Sequence, residues 1–320
     1  MKKIVILVSA LLSLITAANA SHWKTYNGTS SHFELTVGGG YTALGYQFDN
    51  NVLPTSMTVK NTGSWTVKGH IGYQFFFLKW MGIGVGANFQ RYGGAAQLDG
   101  SMVWNKVTDT DGEMYNHTLS LTKWKQKDQI WMVEIPVSLC FAIPVNNVFL
   151  TLEAGGMYGI PVIHNYKGDG TTRHTGYYEP WHLPLHDQPD HGFYTEKGFH
   201  PDGDIKTKSG FAVFGKIGAA IPMTDHLQLL VQAYGHYYLS SIVKTSNDQA
   251  FGFRNDRAGM QEAHYFMEDY SSLSTTGLIK KDPKPWNIGV EIGIRLVFPH
   301  RSTHCNCQWW DSGQNVDWAK

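Results

Sequence analysis

The segment that most constrains the fold is a period-two pattern near the end of the chain, at residues 286–298. Large apolar side chains occupy every even position: Trp286, Ile288, Val290, Ile292, Ile294, Leu296 and Phe298. The odd positions include Asn287, Glu291 and Arg295. One face must therefore meet an apolar medium while the other can carry charge. Strands of soluble sheets are usually about five or six residues long, whereas a strand that crosses a bilayer needs about nine to eleven. The pattern predicts a membrane-spanning β-strand.

The amino terminus has the features of a secretory signal peptide. A basic start at Met1–Lys3 precedes an apolar run from Ile4 to Ala17, and small residues occupy Ala18 and Ala20. This arrangement predicts a signal peptide at residues 1–20 that is cleaved after Ala20. The rest of the sequence contains no apolar run long enough for a membrane helix, so it could enter a membrane only as a closed barrel. We expect the barrel at residues 21–298 and a periplasmic tail at residues 299–320.

Composition narrows the function classes. Lysine plus arginine balances aspartate plus glutamate at 26 each, so no overall charge favours binding to nucleic acid. Aromatic residues at 13% and 34 glycines suit interfacial girdles and tight bends of a barrel. The glycines of residues 82–86 lack the last glycine of a dinucleotide-binding fingerprint, and we interpret them as lumen-facing. We expect no cofactor.

Eight segments share the alternating pattern, and the even number is typical of single-chain bacterial barrels. They are Ser31–Tyr46, Ser64–Phe77, Met81–Tyr92, Gln129–Ala142, Asn147–Ile160, Gly210–Ile221, His226–Ile242 and Trp286–Phe298. The connections alternate between long and short, as in outer-membrane barrels with long extracellular loops and short periplasmic turns. The sequence predicts an all-β, eight-stranded antiparallel up-and-down transmembrane β-barrel with four long extracellular loops. Both termini are then periplasmic.

Three local motifs resemble the outer-membrane β-barrel domain family of Bacteroidetes-type Gram-negative bacteria. They are the Glu-Ile-Pro of residues 134–136, the aromatic cluster that leads into Leu-Ser-Ser-Ile at residues 234–242, and the terminal pattern of Glu291, Gly293, Leu296 and Phe298. The architecture is similar to the OmpA-like transmembrane domain, without a peptidoglycan-binding domain. The terminal pattern resembles the signal by which the barrel-assembly machinery recognises its substrates. The resemblance implies outer-membrane lipid and that machinery as partners.

The predicted inward faces carry a set of titratable side chains: Glu34, Lys68, His70, Glu134, Glu153, Lys216, His236, Glu291 and Arg295. An eight-stranded barrel is only wide enough to be filled by side chains, so these charges must pair or be hydrated. One interpretation is a salt-bridge network that plugs the lumen, and the alternative is a narrow gated pore. Arg295 and Glu34 lie near the periplasmic end on adjacent closing strands, and we expect this pair to form a bridge.

The third long loop and the tail contain weaker candidates. His182, His186 and His191 are close enough in sequence to offer metal ligands, although Pro184 prevents the helix that would align the first two. A solvated loop is the default interpretation, and aromatic residues at Tyr177, Tyr178, Trp181 and Phe193 could present a contact surface. Cys305 and Cys307 in the tail suggest a local disulfide or free thiols rather than a metal site.

Three functions stay open from the sequence. The first is a non-enzymatic outer-membrane barrel with a structural or adhesive role, whose surface loops meet an extracellular ligand or host surface. The second is a narrow channel for small solutes. The third is a hydrolase at the barrel rim, suggested by His236 and Ser240 on one predicted inward face, although no third catalytic group has a suitable spacing.

Overall fold

A computed structural model describes residues 29–46, 57–108, 112–145, 147–188, 193–200, 202–244 and 284–299. The predicted signal peptide, residues 300–320 with Cys305 and Cys307, and most of the first and fourth predicted loops lie outside these ranges. No helix in the described ranges is long and apolar enough to cross a membrane.

Eight strands form the wall of a barrel. In chain order they are β1 (Ser30–Ala43), β2 (Thr58–Phe76), β3 (Met81–Thr108), β4 (Met114–Val145), β5 (Val148–Tyr178), β9 (Gly210–Pro222), β10 (Leu227–Tyr238) and β11 (Trp286–Pro299). Each pairs antiparallel with its neighbours in this order, and β1 also pairs with β11. The circuit closes without an open edge, so every wall strand finds hydrogen-bond partners on both sides. The predicted all-β antiparallel barrel is confirmed.

The two faces of the wall have opposite polarity, as the alternation predicted. On β11, Ile292 is 48% exposed on the outer face while its neighbour Glu291 is 1% exposed inside. The outer face forms an apolar belt around the barrel. Aromatic residues mark both of its edges: Tyr41, Trp65, Trp131, Phe211, Tyr237 and Trp286 towards one end, and Phe77, Trp80, Phe141 and Phe298 towards the other. Such girdles occupy the two membrane–water interfaces of a barrel.

The two ends of the barrel differ. The turn end, where β1 begins and β11 ends, has short connections at residues 77–80, 146–147 and 223–226. At the other end β3, β4 and β5 continue far beyond the aromatic edge and stay paired with one another. We call this extension, residues 93–108, 114–129 and 164–178, the arm. The prediction that residues 93–128 form a long loop is therefore wrong, since strand pairing leaves only residues 109–113 as the connection.

The third predicted loop also carries strand structure. After a 3₁₀ turn at Glu179–Trp181, the short strands β6 (Leu183–Leu185), β7 (Thr195–Phe199) and β8 (Asp202–Asp204) each pair with β5. They therefore cover the edge of β5 where it extends above β9, which an exposed edge strand requires.

The residues of the predicted assembly signal lie as the alternation requires. Phe298 is exposed on the outer face at the turn end, and Glu291 is buried in the lumen. At Gly293 an added Cβ would lie 2.1 Å from the carbonyl oxygen of Leu35, because the backbone of β1 passes closely there. Glycine at this position thus has a packing reason in the folded barrel. Recognition of Gly293, Leu296 and Phe298 by assembly machinery stays a prediction.

Candidate functional site

The centre of the lumen holds two lysines and two glutamates in contact. Lys68 Nζ lies 2.8 Å from Glu291 Oε2. Lys216 Nζ lies 3.2 Å from Glu153 Oε2 and 3.5 Å from Glu291 Oε1, so Glu291 bridges the two ammonium groups. The hydroxyl of Ser138 donates to the other oxygen of Glu153 at 2.9 Å. The two lysines and two glutamates come from β2, β5, β9 and β11. Their contacts therefore span the full width of the barrel.

A second ion pair closes the network towards the turn end. Arg295 donates to Glu34 Oε1 through Nε at 2.6 Å and lies 2.5 Å from the same oxygen through Nη2, so two guanidinium nitrogens share one carboxylate oxygen in a charge-assisted contact. This is the bridge expected from their positions on the adjacent strands β1 and β11. His70 lies beside it, with Nε2 4.0 Å from Glu34 Oε2 and Nδ1 2.6 Å from the amide oxygen of Asn88.

Glu134 anchors a third group, towards the arm. Its Oε1 accepts hydrogen bonds from the hydroxyls of Tyr92 at 2.6 Å and Tyr238 at 2.8 Å. Its Oε2 accepts from Asn88 at 3.1 Å, and His236 Nδ1 lies 3.8 Å away. All nine residues of the predicted lumen set are thus buried, and Lys68, Lys216 and Arg295 each lie beside a carboxylate of Glu34, Glu153 or Glu291. Since removing one partner of a buried pair is costly, we interpret the network as a structural plug.

Apolar side chains fill the lumen above this network. Tyr92 and Tyr238 belong to a buried cluster that continues along the inner face of the arm. Its members are Leu44, Tyr46, Met57, Tyr92, Ala96, Leu98, Met102, Leu119, Leu121, Trp124, Ile130, Met132, Met157, Tyr166, Ile205, Ala212, Phe214, Tyr238, Ile242 and Val243. We call this cluster the apolar cap. The sequence analysis did not predict it, because many of its members fall in segments assigned to loops.

The pair proposed for rim hydrolysis is not assembled. β10 ends at Tyr238, two residues before Ser240. The hydroxyl of Ser240 instead accepts the backbone N–H of Phe211 at 3.0 Å. His236 lies against Glu134 and Tyr92 below the apolar cap. His236 and Ser240 therefore have separate hydrogen-bond partners in the described structure, and their joint role in hydrolysis stays a prediction.

His182 and His186, the two candidate loop histidines that the structure describes, are held apart. His182 ends the 3₁₀ turn in a left-handed conformation, and His186 follows the three-residue strand β6. The extended backbone of that strand separates them, because each residue advances a strand by about 3.3 Å. His191 lies outside the described residues. Within the described part of the chain, no group of three or more histidine, cysteine, aspartate or glutamate side chains could hold a metal ion.

The aromatic residues of the third loop divide into two groups. Tyr178 and Phe193 are buried with Val107 and Tyr115 in a small core that joins the loop to the arm. Tyr177 and Trp181 remain exposed at the tip, together with Met114 and Leu183. Of the four aromatic residues expected to form a contact surface, Tyr177 and Trp181 are exposed and can do so. Tyr178 and Phe193 are buried and instead hold the loop against the arm. Met114 and Tyr177 lie on the outer face of the strands, whereas Leu183 lies opposite Tyr178 on the other face. We call these exposed residues around the tip, Met114, Tyr177, Trp181 and Leu183, the tip patch.

A pair of histidines is buried beneath the tip patch, where β4 meets β5. His117 Nε2 lies 3.1 Å from His174 Nδ1. Rings of Trp104, Tyr115 and Phe193 surround His117, and Tyr194 stacks on His174. Burial lowers the pKa of His117 to about 3, with a further contribution from His174, and lowers the pKa of His174 to about 4. The arm is therefore packed around two neutral imidazoles.

We expect acid to loosen the arm before it affects the barrel. Both pKa values are lower in the folded arm than the ordinary value near 6.5, so the stabilisation is complete above pH 6.5 and is lost as pH falls towards 4 and 3. Near pH 5 the loss amounts to about 2 kcal/mol for each histidine. Hydrogen exchange at β4 and β5 should show the arm amides, but not the belt amides, becoming less protected between pH 7 and 5. The double variant His117→Phe/His174→Phe should remove this pH dependence; equal pH dependence in both proteins would contradict the assignment.

Comparisons with known proteins found one matching family and several similar solved structures. A model of the family described as outer membrane protein beta-barrel domain matches residues 7–259. No curated protein sequence matches the chain. The solved structure of the outer membrane protein OprG from Pseudomonas aeruginosa is 8% identical with a TM-score of 0.36, covering 86% of this chain and 98% of that one. Neisserial surface protein A is 8% identical with a TM-score of 0.33, covering 85% and 100%. Ail of Yersinia pestis is 10% identical with a TM-score of 0.29, covering 85% and 99%.

Proposed function

Because this chain belongs to the outer membrane protein beta-barrel domain family, we propose that it is a non-enzymatic, surface-binding barrel of the outer membrane. Its lumen is closed, and its arm binds an extracellular ligand or a host surface through the tip patch. Within the family we assign it to the Bacteroidetes-type members, on the three local motifs described above.

The orientation of the arm follows from the two ends of the barrel. Outer-membrane barrels keep short turns in the periplasm and longer segments outside the cell. The described chain begins and ends its barrel wall at the end with short turns. This supports periplasmic termini and an arm outside the cell.

The observation that carries the proposed binding function is the pairing of the arm. β3, β4 and β5 have 28, 32 and 31 residues, far more than the nine to eleven that a bilayer requires. The backbone hydrogen bonds of these strands hold the tip patch at a fixed place beyond the membrane. Trp181 is 54% exposed and Met114 is 60% exposed there. Exposed aromatic and methionine side chains on a preorganised support favour protein contact, because little conformational entropy is lost on binding.

The closed lumen argues against the channel. Paired charges fill the lumen below Glu134, and the apolar cap fills it above. Wild-type protein in a planar lipid bilayer is therefore expected to give no unitary conductance steps. Reproducible steps would contradict the closed lumen and favour the narrow channel.

Binding can be tested with vesicles that display the protein on their surface. We expect the double variant Tyr177→Ser/Trp181→Ser to reduce attachment of such vesicles to epithelial cell layers and to plates coated with matrix proteins by roughly tenfold or more, as loss of central aromatic anchors does. Val103→Ser is the matched control, since Val103 is exposed on the flank of the arm. Unchanged attachment of the double variant, or an equal loss in the control, would contradict a role for the tip patch.

A further inference from the structure

An arginine faces outward at the edge of the apolar belt nearest the arm. Arg91 lies opposite Trp131 in the pairing of β3 with β4, and its guanidinium stacks 4.1 Å from the ring of Trp65. It is only 7% exposed. Its Nη1 donates to Ser64 Oγ and to the carbonyl of Trp65, whereas its Nε has no hydrogen-bond partner within the described structure. A buried donor without an acceptor is costly, so this site suits an acceptor from outside the chain.

Four lysines lie on the same outer face, further from the belt. Lys127 on β4 is directly opposite Lys167 on β5. Lys125 lies two residues from Lys127 on β4, further from the belt. Gln97 on β3 pairs with both Lys125 and Lys60 of β2, so the two lysines lie at the same height on the wall. Like charges directly opposite one another destabilise a pair of strands. We call Lys60, Arg91, Lys125, Lys127 and Lys167 the rim cluster.

The nearby carboxylates do not neutralise the whole rim cluster. Asp169, opposite Lys125, lies 3.1 Å from His200. Asp99 accepts hydrogen bonds from the side chain of Gln97 at 2.9 Å and from the backbone of Lys123 at 2.5 Å. Asp202 is opposite Lys167, but on the side away from Lys127. The face between Lys127 and Arg91 therefore remains positively charged.

Small residues form the floor of this face. Between Arg91 and the row of Gln97, the outward positions of β3 are Gly93 and Ala95, and Ala95 lies opposite Lys127. A Cβ added at Gly93 would lie 3.3 Å from Arg91 Nη1 and 3.1 Å from the carbonyl oxygen of Asp128. The absence of a side chain at Gly93 therefore keeps a shallow trough open above the guanidinium.

The position of the trough along the strands indicates which ligand it can bind. Lys127 is four residues beyond Trp131, or about 13 Å along the strand. Lysine side chains can bend towards a membrane interface while their stems cover apolar surface. We propose that the rim cluster binds the phosphate groups of an anionic lipid in the leaflet on the arm side. A lipid, rather than a soluble phosphate, fits because the trough opens directly onto the apolar belt, where acyl chains lie.

The test measures the affinity of detergent-solubilised full-length protein for diphosphoryl lipid A, with the same lipid after phosphate removal as the matched ligand. Wild-type protein should bind the phosphorylated form more tightly, and affinity should fall as salt rises. The variant Lys127→Gln/Lys167→Gln should weaken this binding by roughly thirty-fold, since each basic residue near an anionic membrane surface contributes about a factor of five. The control Lys106→Gln/Lys197→Gln removes the same charge from exposed positions on β3 and β7, further from the belt, and should bind like wild type.

Three outcomes would overturn the proposal. Equal affinity of Lys127→Gln/Lys167→Gln and wild type would show that the rim cluster does not hold the phosphate. An equal loss in Lys106→Gln/Lys197→Gln would show only a general charge effect. Full competition by millimolar inorganic phosphate would indicate a site for soluble anions. Heat-modifiable migration in detergent gels provides the folding check, because a closed barrel resists unfolding until heated.

Discussion

Replacing Glu291 with leucine is expected to lower the free energy of unfolding by about 3–5 kcal/mol, the usual cost of removing one partner from a buried ion pair. Glu291 contacts both Lys68 and Lys216. Lys216 would keep Glu153, whereas Lys68 would lose its only ion pair within 4.0 Å in the described lumen. Urea titration of the protein in lipid vesicles measures the change.

A second variant distinguishes the effect of the unpaired charge from the effect of the changed side-chain volume. In Glu291→Leu/Lys68→Met neither the carboxylate nor its closest ammonium remains, and we expect much of the lost stability to return. Asp187→Asn, at an exposed position of the third loop, serves as the control and should change stability by less than about 0.5 kcal/mol. If Glu291→Leu were no more destabilising than Asp187→Asn, the lumen charges would not act as a plug.

Replacing Ile292 with arginine should destabilise the barrel by about 2–4 kcal/mol, because a charge near the midplane of the bilayer must be removed from water. Ile292 faces outward in the middle of β11, opposite Val37 and Val231. Folding titrations in vesicles measure this cost.

Val103→Arg is the matched control for Ile292→Arg. Val103 is also an exposed apolar side chain of a wall strand, but it lies on the arm, beyond the apolar belt. An arginine there remains in water, so we expect no measurable change. Similar costs at the two positions would mean that the position of the membrane along the strands has been misassigned.

The membrane-spanning part of the fold could be predicted from sequence because lipid imposes the pattern directly. Each outward position of β11 must be apolar, and each inward position can be polar, so Ile292 and Glu291 reveal their faces without any knowledge of the pairing. The same reasoning assigned the nine lumen residues to the inner face.

The arm could not be predicted in this way, because water replaces lipid on its outer face. Register shifts also interrupt its period, between Trp104 and Val107 on β3 and between Thr122 and Lys125 on β4. Each shift exchanges the inner and outer faces relative to a strict alternation. Trp124 therefore lies in the apolar cap although its neighbours in sequence are lysines.

Which lumen residues contact one another could not be predicted from the pattern of a single strand. Glu291 on β11 meets Lys68 on β2 and Lys216 on β9, and neither strand pairs with β11. These contacts cross the interior and depend on strand tilt and closure. The bridge between Arg295 and Glu34 was easier to predict, since β1 and β11 are neighbours and place the two residues in register.

Continuous strands in the arm also determine how the molecule would respond to a pulling force. A force at Tyr177 or Met114 passes along the backbones of β5 and β4 into the barrel wall without a flexible segment in between. A loop of the same length would first have to straighten, and its entropy would act as a soft spring. The arm has little such slack, so tension from shear flow would reach the embedded wall almost at once. Attachment through the tip would then be limited by the contact itself rather than by stretching of its tether.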